Sequence, residues 1–335
     1  IIEFDKVRLD RASFRLQNPE ITGTEAAFQP SDIGLSDISV TVHSFHVRHD
    51  TVMMHVDSLV AWDKGGAQLR ALNGDFLYCK HQLSLEDFSL STGRSTIRGF
   101  ISMSFENPKA FQHFEEEVDL HAQLALSNVH MGDIAWFAPG LQGLESSFRI
   151  RGKIKGRLND LKADGLRILF GSVTQLDGRL HLKGLPDIQN THMDIDLDRM
   201  VTNGYDLERI PLPPFPEQRY VQVPAELKRL GVLKFNGHFD GYLRDFNAFG
   251  QLQTGLGSAS LDMHMVQPAK GLPYYEGSLD LKKFQAGALT GNQLGLGMVS
   301  ASGEIRGEGF SGEDFFAAFD GGVSLLEING YTYQG

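Results

Sequence analysis

The residue types that could do chemistry fall in two groups. His43, His46, His49 and His55 lie close together, and imidazole is a common metal ligand. At strand spacing only His43, His49 and His55 share a face, and two of them flank or follow a turn at His49-Asp50. A zinc centre needs a tighter set, so these are expected to be surface histidines without metal. In the second group, Arg149, Arg151, Lys153, Lys155 and Arg157 take alternate positions, which projects all of them from one face of a strand. Asp194, Asp196 and Asp198 alternate in the same way, and opposite charges on neighbouring strands offset such repulsion. The basic row is therefore expected to be a solvated ladder, with an anionic partner or lipid headgroup as the alternative. Glu115, Glu116 and Glu117 read as a solvated run.

No nucleophile elbow, P-loop, strand-to-helix dinucleotide fingerprint or H-E-x-x-H zinc motif occurs. Gly255, Gly257 and the glycines of 291–297 read as turns, because a phosphate cradle would need a helix directly behind it. No carboxylate pair is singled out by its neighbours. The expectation is a protein that is not an enzyme and uses no cofactor. Its one cysteine, Cys79, can form neither an internal disulfide nor a cysteine-based zinc site. The net charge of −11 has the wrong sign for gripping phosphate backbones, so nucleic acid is not an expected partner.

The elements that must carry these groups are strands. Apolar and polar residues alternate with period two from end to end, and 37 glycines among 335 residues signal many turns. Val40 and Val42, then Val52, Met54, Val56 and Trp62 after the turn at His49-Asp50, make a hairpin with one apolar face. Leu120, Leu124 and Leu126 alternate with Asp119, His121 and Gln123. Phe148, Ile150, Ile154 and Leu158 stand opposite the basic row.

Further strands are expected over 166–170, 176–183, 192–198, 232–243, 257–266, 274–283, 298–307 and 322–328. They add Ile168, Leu180, Ile195, Leu197, Phe235 and Phe239 to the apolar side. Leu261, Met263, Met265, Leu279, Leu281 and Ile305 extend it. Short, regular strands separated by Gly, Asp and Asn mean an antiparallel, mainly β protein.

Helical signals are few: 108–118 behind an Asn-Pro cap, 224–230 ending at Gly231, and about 312–319. The stretch Pro211–Pro216 cannot be a central strand, and it suggests a division into a first β portion (1–210, with a helical insert near 107–140), a Pro-rich segment with a short helix (211–231) and a second β portion (232–335). The pattern G-x-φ-x-G recurs at Gly152–Gly156, Gly237–Gly241 and Gly303–Gly307, with both glycines on the apolar side. Such repetition points to a stack of strand units.

No apolar stretch reaches the roughly 18 residues that would span a bilayer, and the first residues show no secretory signal pattern. Opening in mid-strand without Met and closing on Asn329–Tyr333 suggest a piece of a longer chain. The long apolar face has to be covered by another sheet, by helices or by lipid, and the helices are too few. A sandwich or barrel closed on itself and an open groove holding acyl chains both satisfy the pattern.

Leu83 to Ile97 with its following strand, Ser127 to Phe137 running into Ala138-Pro139, Gly152 to Gly156, Leu176-Asp177-Gly178 through Gly184-Leu185-Pro186-Asp187, and Asn329-Gly330-Tyr331-Thr332-Tyr333 together resemble the TamB family of the AsmA-like superfamily, in the form found in Bacteroidota. The resemblance covers nearly the whole chain and rests on a repeating pattern. It implies a long, elongated antiparallel β-groove, taco-shaped in section, with an apolar interior, that crosses the periplasm between inner and outer membranes. It further implies phospholipids as cargo and an Omp85-type outer-membrane barrel partner reached through the rest of the chain. The stretch 211–231 departs from a pure groove. A second expectation is an envelope scaffold that assembles outer-membrane proteins through β-edge contacts. A third is a closed β-sandwich that binds a glycan on Trp62 or Trp136.

Overall fold

The computed structural model describes residues 1–17, 32–136, 139–291, 295–309 and 316–335, with the side chains of residues 139, 226 and 290 left aside. Strands account for 68% of the chain and helices for 10%, and nineteen strands belong to one antiparallel sheet that is not closed into a barrel. Two compact units are distinguished. One comprises Ile1–Ile168 with Lys183–Asp187 and Phe215–Glu217; the other comprises Leu169–Leu182, Ile188–Pro214 and Gln218–Gly335.

The first unit is an antiparallel meander in which successive strands hydrogen-bond to each other, except that β4 and β5 both pair with β3. Its strands are β1 (Ile2–Gln17), β2 (Asp32–Arg48), β3 (Thr51–Asp63), β4 (Gln68–Leu69), β5 (Ala71–Cys79), β6 (Gln82–Ser91), β7 (Thr96–Ser104), β8 (Asp119–His130), β9 (Ser147–Arg157) and the start of β10 (Asp160–Phe170). The short β4 pairs with the end of β3, and β5 pairs with its beginning. His49 takes a left-handed conformation, φ 56°, in the β2–β3 turn.

The second unit holds β11 (Thr174–Lys183), β12 (His192–Asn203), β15 (Val232–Tyr242), β16 (Asp245–Thr254), β17 (Gly257–Val266), β18 (Tyr274–Gln285), β19 (Leu296–Glu308), β20 (Phe316–Ile328) and β21 (Tyr331–Gln334). Between β12 and β15 the chain leaves the sheet, and β13 (Pro211–Leu212) pairs only with β14 (Arg219–Tyr220). The prolines lack the N–H that a central strand must donate.

The helices are short. Asn107 accepts a hydrogen bond from the Lys109 N–H at 2.9 Å and caps a 3-10 turn, Pro108–His113, that runs into Phe114–Glu117. Ala110, Phe111 and Phe114 pack with Phe105 and Val118 against Tyr78, Leu83, Met103 and Leu120. Ala225–Lys228 is a single turn, followed by Gly231 at φ 70°. The helix expected over 312–319 is not formed where it can be seen: residues 310–315 lie outside the described ones, and Phe316–Phe319 open β20. Phe137 and Ala138 also lie outside the described residues.

Candidate functional site: an apolar sheet face in each unit

Directly paired residues of an antiparallel sheet point to the same side, so the register identifies every member of a face. In the first unit one row runs Met54, Phe76, Leu85, Ile101, Ala122, Ile154 across β3, β5, β6, β7, β8 and β9. A second runs Val52, Tyr78, Leu83, Met103, Leu120, Gly156 over the same strands. Val42 pairs with Val56, and Val40 with Leu59, beside them. Leu124 faces both Gly99 and Gly152, and Phe148 faces Val129. Ile150, opposite the buried Ser127, keeps to the same side. Ile168 follows in step with Leu166, whose Cα lies 3.1 Å from a Cβ built on Gly152.

The second unit repeats the arrangement over seven strands. Ile195, Phe239, Ala248, Met263, Gly277, Ile305 and Phe319 form one row across β12 and β15 to β20. Beside it Leu197, Gly237, Gly250, Leu261, Leu279, Gly303 and Gly321 form the next. Met265 joins Phe246 and Tyr275, while Phe235 and Leu281 extend the face through Leu252, Ala259 and Ala301. Leu180 shares its side of β11 with Gly178, which abuts Leu197. With strands about 4.8 Å apart, seven of them make an apolar row about 29 Å long. Both glycines of each G-x-φ-x-G repeat stand on this side, as expected.

The rows are half-buried. Burial alternates residue by residue along β9 and β16, and the larger row members, from Met54 and Phe76 to Met263 and Ile305, remain partly accessible. In the first unit Tyr78, Leu83, Met103 and Leu120 of the second row lie under the Pro108–Glu117 insert, whereas a face wholly under a second packed layer would be dry. At the Thr254–Gly257 end of the second unit, Leu281, Ala301 and Val323 line an open cleft of about 980 Å³ together with Lys282, Lys283, Ser300 and Ser302.

Three expected members are elsewhere. In β3, Val42 faces Val56 but Thr41 faces Ser58, so Asp57 is an extra residue. Such a bulge shifts the alternation by one. Leu59 and the buried Ala61 then take the apolar side, and Trp62 is turned to the polar side, 43% exposed. A bulge between Leu124 and Ser127 does the same to Leu126, which is 50% exposed. Leu158 sits in the β9–β10 turn. Sequence reading missed Phe76, Leu85 and Ile101, although Leu83 and Leu85 alternate with Ser84 and Glu86. It also missed β16, where Ala248 and Gly250 dilute the pattern.

The opposite side is polar. Lys155 meets Asp164 at 3.3 Å. The aspartates of β12 do not complement the basic row as expected, because β15, not β9, lies beside β12. Asp196 accepts hydrogen bonds from His238 at 2.8 Å and Arg179 at 3.0 Å. The His238 bond is the main cause that holds its carboxyl below the usual range; slight burial opposes this, and the Arg179 charge reinforces it. Further imidazole–carboxylate pairs are His43–Asp57, His55–Asp75 and His264–Asp245.

Asp206 is buried at the Gly171–Thr174 turn. Burial would raise its pKa, but the backbone N–H groups of Ser172, Val173 and Thr174 donate to it and hold it well below the ordinary carboxylate value. No helix among the described residues is long and apolar enough to cross a membrane. No family model, curated protein or solved structure matches the chain.

Proposed function

We propose that the chain is a segment of a bridge-like lipid transfer protein of the periplasm that conducts phospholipids between inner and outer membranes along its apolar sheet face, as the resemblance to the TamB family implies. The observation that carries this reading is the apolar rows, six strands wide in one unit and seven in the other, whose larger members stay partly accessible on an open sheet, although the Pro108–Glu117 insert covers Tyr78, Leu83, Met103 and Leu120 of one row. Burying an acyl chain is worth about 0.8 kcal/mol per methylene. A continuous apolar row removes that cost at every step, and with no fixed polar anchor within it the chain slides. Conduction is then passive, and direction comes from outside the segment.

The test is native mass spectrometry of the 335-residue chain purified without detergent exchange, with extracted lipids identified. Met54→Asp and Leu124→Asp place a charge within the apolar side; Leu126→Asp places one on the polar side. The reading expects co-purified phospholipid to be lost in the first two variants and kept in the third, all three remaining folded. A lipid-free wild-type chain, or equal loss in all three, sinks it.

A second reading, an envelope scaffold that helps assemble outer-membrane proteins through β-edge contacts with an Omp85-type barrel, draws on a different observation. Large apolar side chains are exposed along β1, at Ile2, Phe4, Leu9, Phe14 and Leu16, and on β20 and β21, at Phe316, Tyr331 and Tyr333. Strand addition to a sheet edge recruits such segments. Crosslinks to a barrel partner from β1 or β21, with a lipid-free chain, would favour it.

A further inference from the structure

We infer that His43, His55 and Asp57 form a binding site for a divalent transition metal on the polar side of the first unit. His43 and His55 are directly opposed on β2 and β3, and their rings lie 4.5 Å apart at an interplanar angle of 34°. Asp57 is the bulge residue next to them. One ligating atom from each of the three lies within 4.8 Å of the other two, so small side-chain rotations bring them to the spacing that bonds of about 2.0–2.2 Å require.

The surrounding geometry suits ligation. Asp75 Oδ1 accepts from His55 Nδ1 at 2.6 Å, which fixes the ring and leaves Nε2 as the ligand atom. A carboxylate behind a histidine is the usual support of a metal-bound imidazole. Asp57 Oδ1 lies 2.8 Å from His43 Nδ1, and an entering cation takes the place of the shared proton. The left-handed Ser44, φ 53°, on β2 and the Asp57 bulge on β3 flank the pair. Strand irregularities of this kind re-aim side chains.

The side chains of His43, His55 and Asp57 are 45%, 36% and 39% exposed, so the cation has a path in and water completes its shell. Two imidazoles and one carboxylate suit Zn²⁺, Cu²⁺, Ni²⁺ or Co²⁺ rather than Mg²⁺ or Ca²⁺, which prefer oxygen. Bound there, the metal would tie β2 to β3 across the sheet.

The probe is Zn²⁺ titrated calorimetrically into the chelator-stripped 335-residue chain at pH 7.5, with Co²⁺ absorption as a report on geometry. The expected result is one saturable site per chain, abolished by His43→Ala and by His55→Ala. His264→Ala, in another imidazole–carboxylate pair, leaves it unchanged. Asp75→Ala weakens it roughly 10–100-fold. Circular dichroism without metal checks that the variants fold, and His55→Gln, which keeps a polar side chain, replaces any that does not. No saturable site, or one that survives His43→Ala and the folded His55 variant, overturns the inference.

Discussion

The ring of Phe235 occupies the space above Gly237, where a Cβ would come within 2.7 Å of its Cζ. Gly237 pairs with Gly250, and a Cβ there would lie 2.8 Å from the same atom. Two bare positions on neighbouring strands thus make room for one ring, an aromatic cover for glycine. Phe319 stands in the same relation to Gly321, at 3.0 Å, beside Gly303. The G-x-φ-x-G repeat therefore shapes the apolar face as well as the backbone.

Gly237→Ala should destabilise the second unit by about 2 kcal/mol, because the added methyl meets both the ring and the Phe249 carbonyl. Gly322→Ala, with nothing within 4 Å of its added Cβ, should be tolerated. Urea unfolding of the two variants makes the comparison. Equal stability would mean that the ring does not sit on the glycines.

The Asp57 bulge places Trp62 and Phe76 on opposite sides of the sheet. In a Trp136→Phe background, Trp62 fluorescence should stay unquenched by phospholipid carrying brominated acyl chains. Phe76→Trp, in a Trp62→Phe, Trp136→Phe chain, should be quenched. Quenching of Trp62 alone would place the lipid-facing side on the wrong surface.

Asp206 makes stability depend on acid. Its folded-state pKa is depressed below the unfolded value of about 3.9, so its contribution is fully present above that value and is lost as pH falls toward the folded one. Asp206→Asn should cost about 2 kcal/mol at pH 7 and flatten the fall in stability between about pH 5 and 2. Denaturant midpoints across that range decide. An unchanged slope would mean that the turn does not depend on the charge.

Phe105 is 5% exposed and lies between the 108–117 insert and the apolar side of β5 to β8. Phe105→Ala should cost about 3–5 kcal/mol and release the insert, seen as faster amide exchange at residues 108–118 with β1–β3 unaffected. Exchange that rises throughout the unit would show the insert to be part of its core.

Period two, the turn at His49-Asp50, the cap at Asn107 and the glycine repeat were all legible in the sequence, because each follows from local chemistry. Alternation alone put Met54, Leu124, Ile154, Phe239 and Met263 on the apolar side, and the register keeps them there. Trp62 and Leu126 were misplaced for one physical reason: an extra residue inverts every side chain beyond it, and whether a strand bulges is decided by the strand opposite. The meeting of His43 with His55, with Asp57 beside them, was likewise set by cross-strand register, which no spacing along one strand records. Local alternation marked most of the strands and their apolar residues, though not β16 or the start of β20; the cross-strand pairing settled which side of the sheet each one faces, because a bulge depends on the strand opposite.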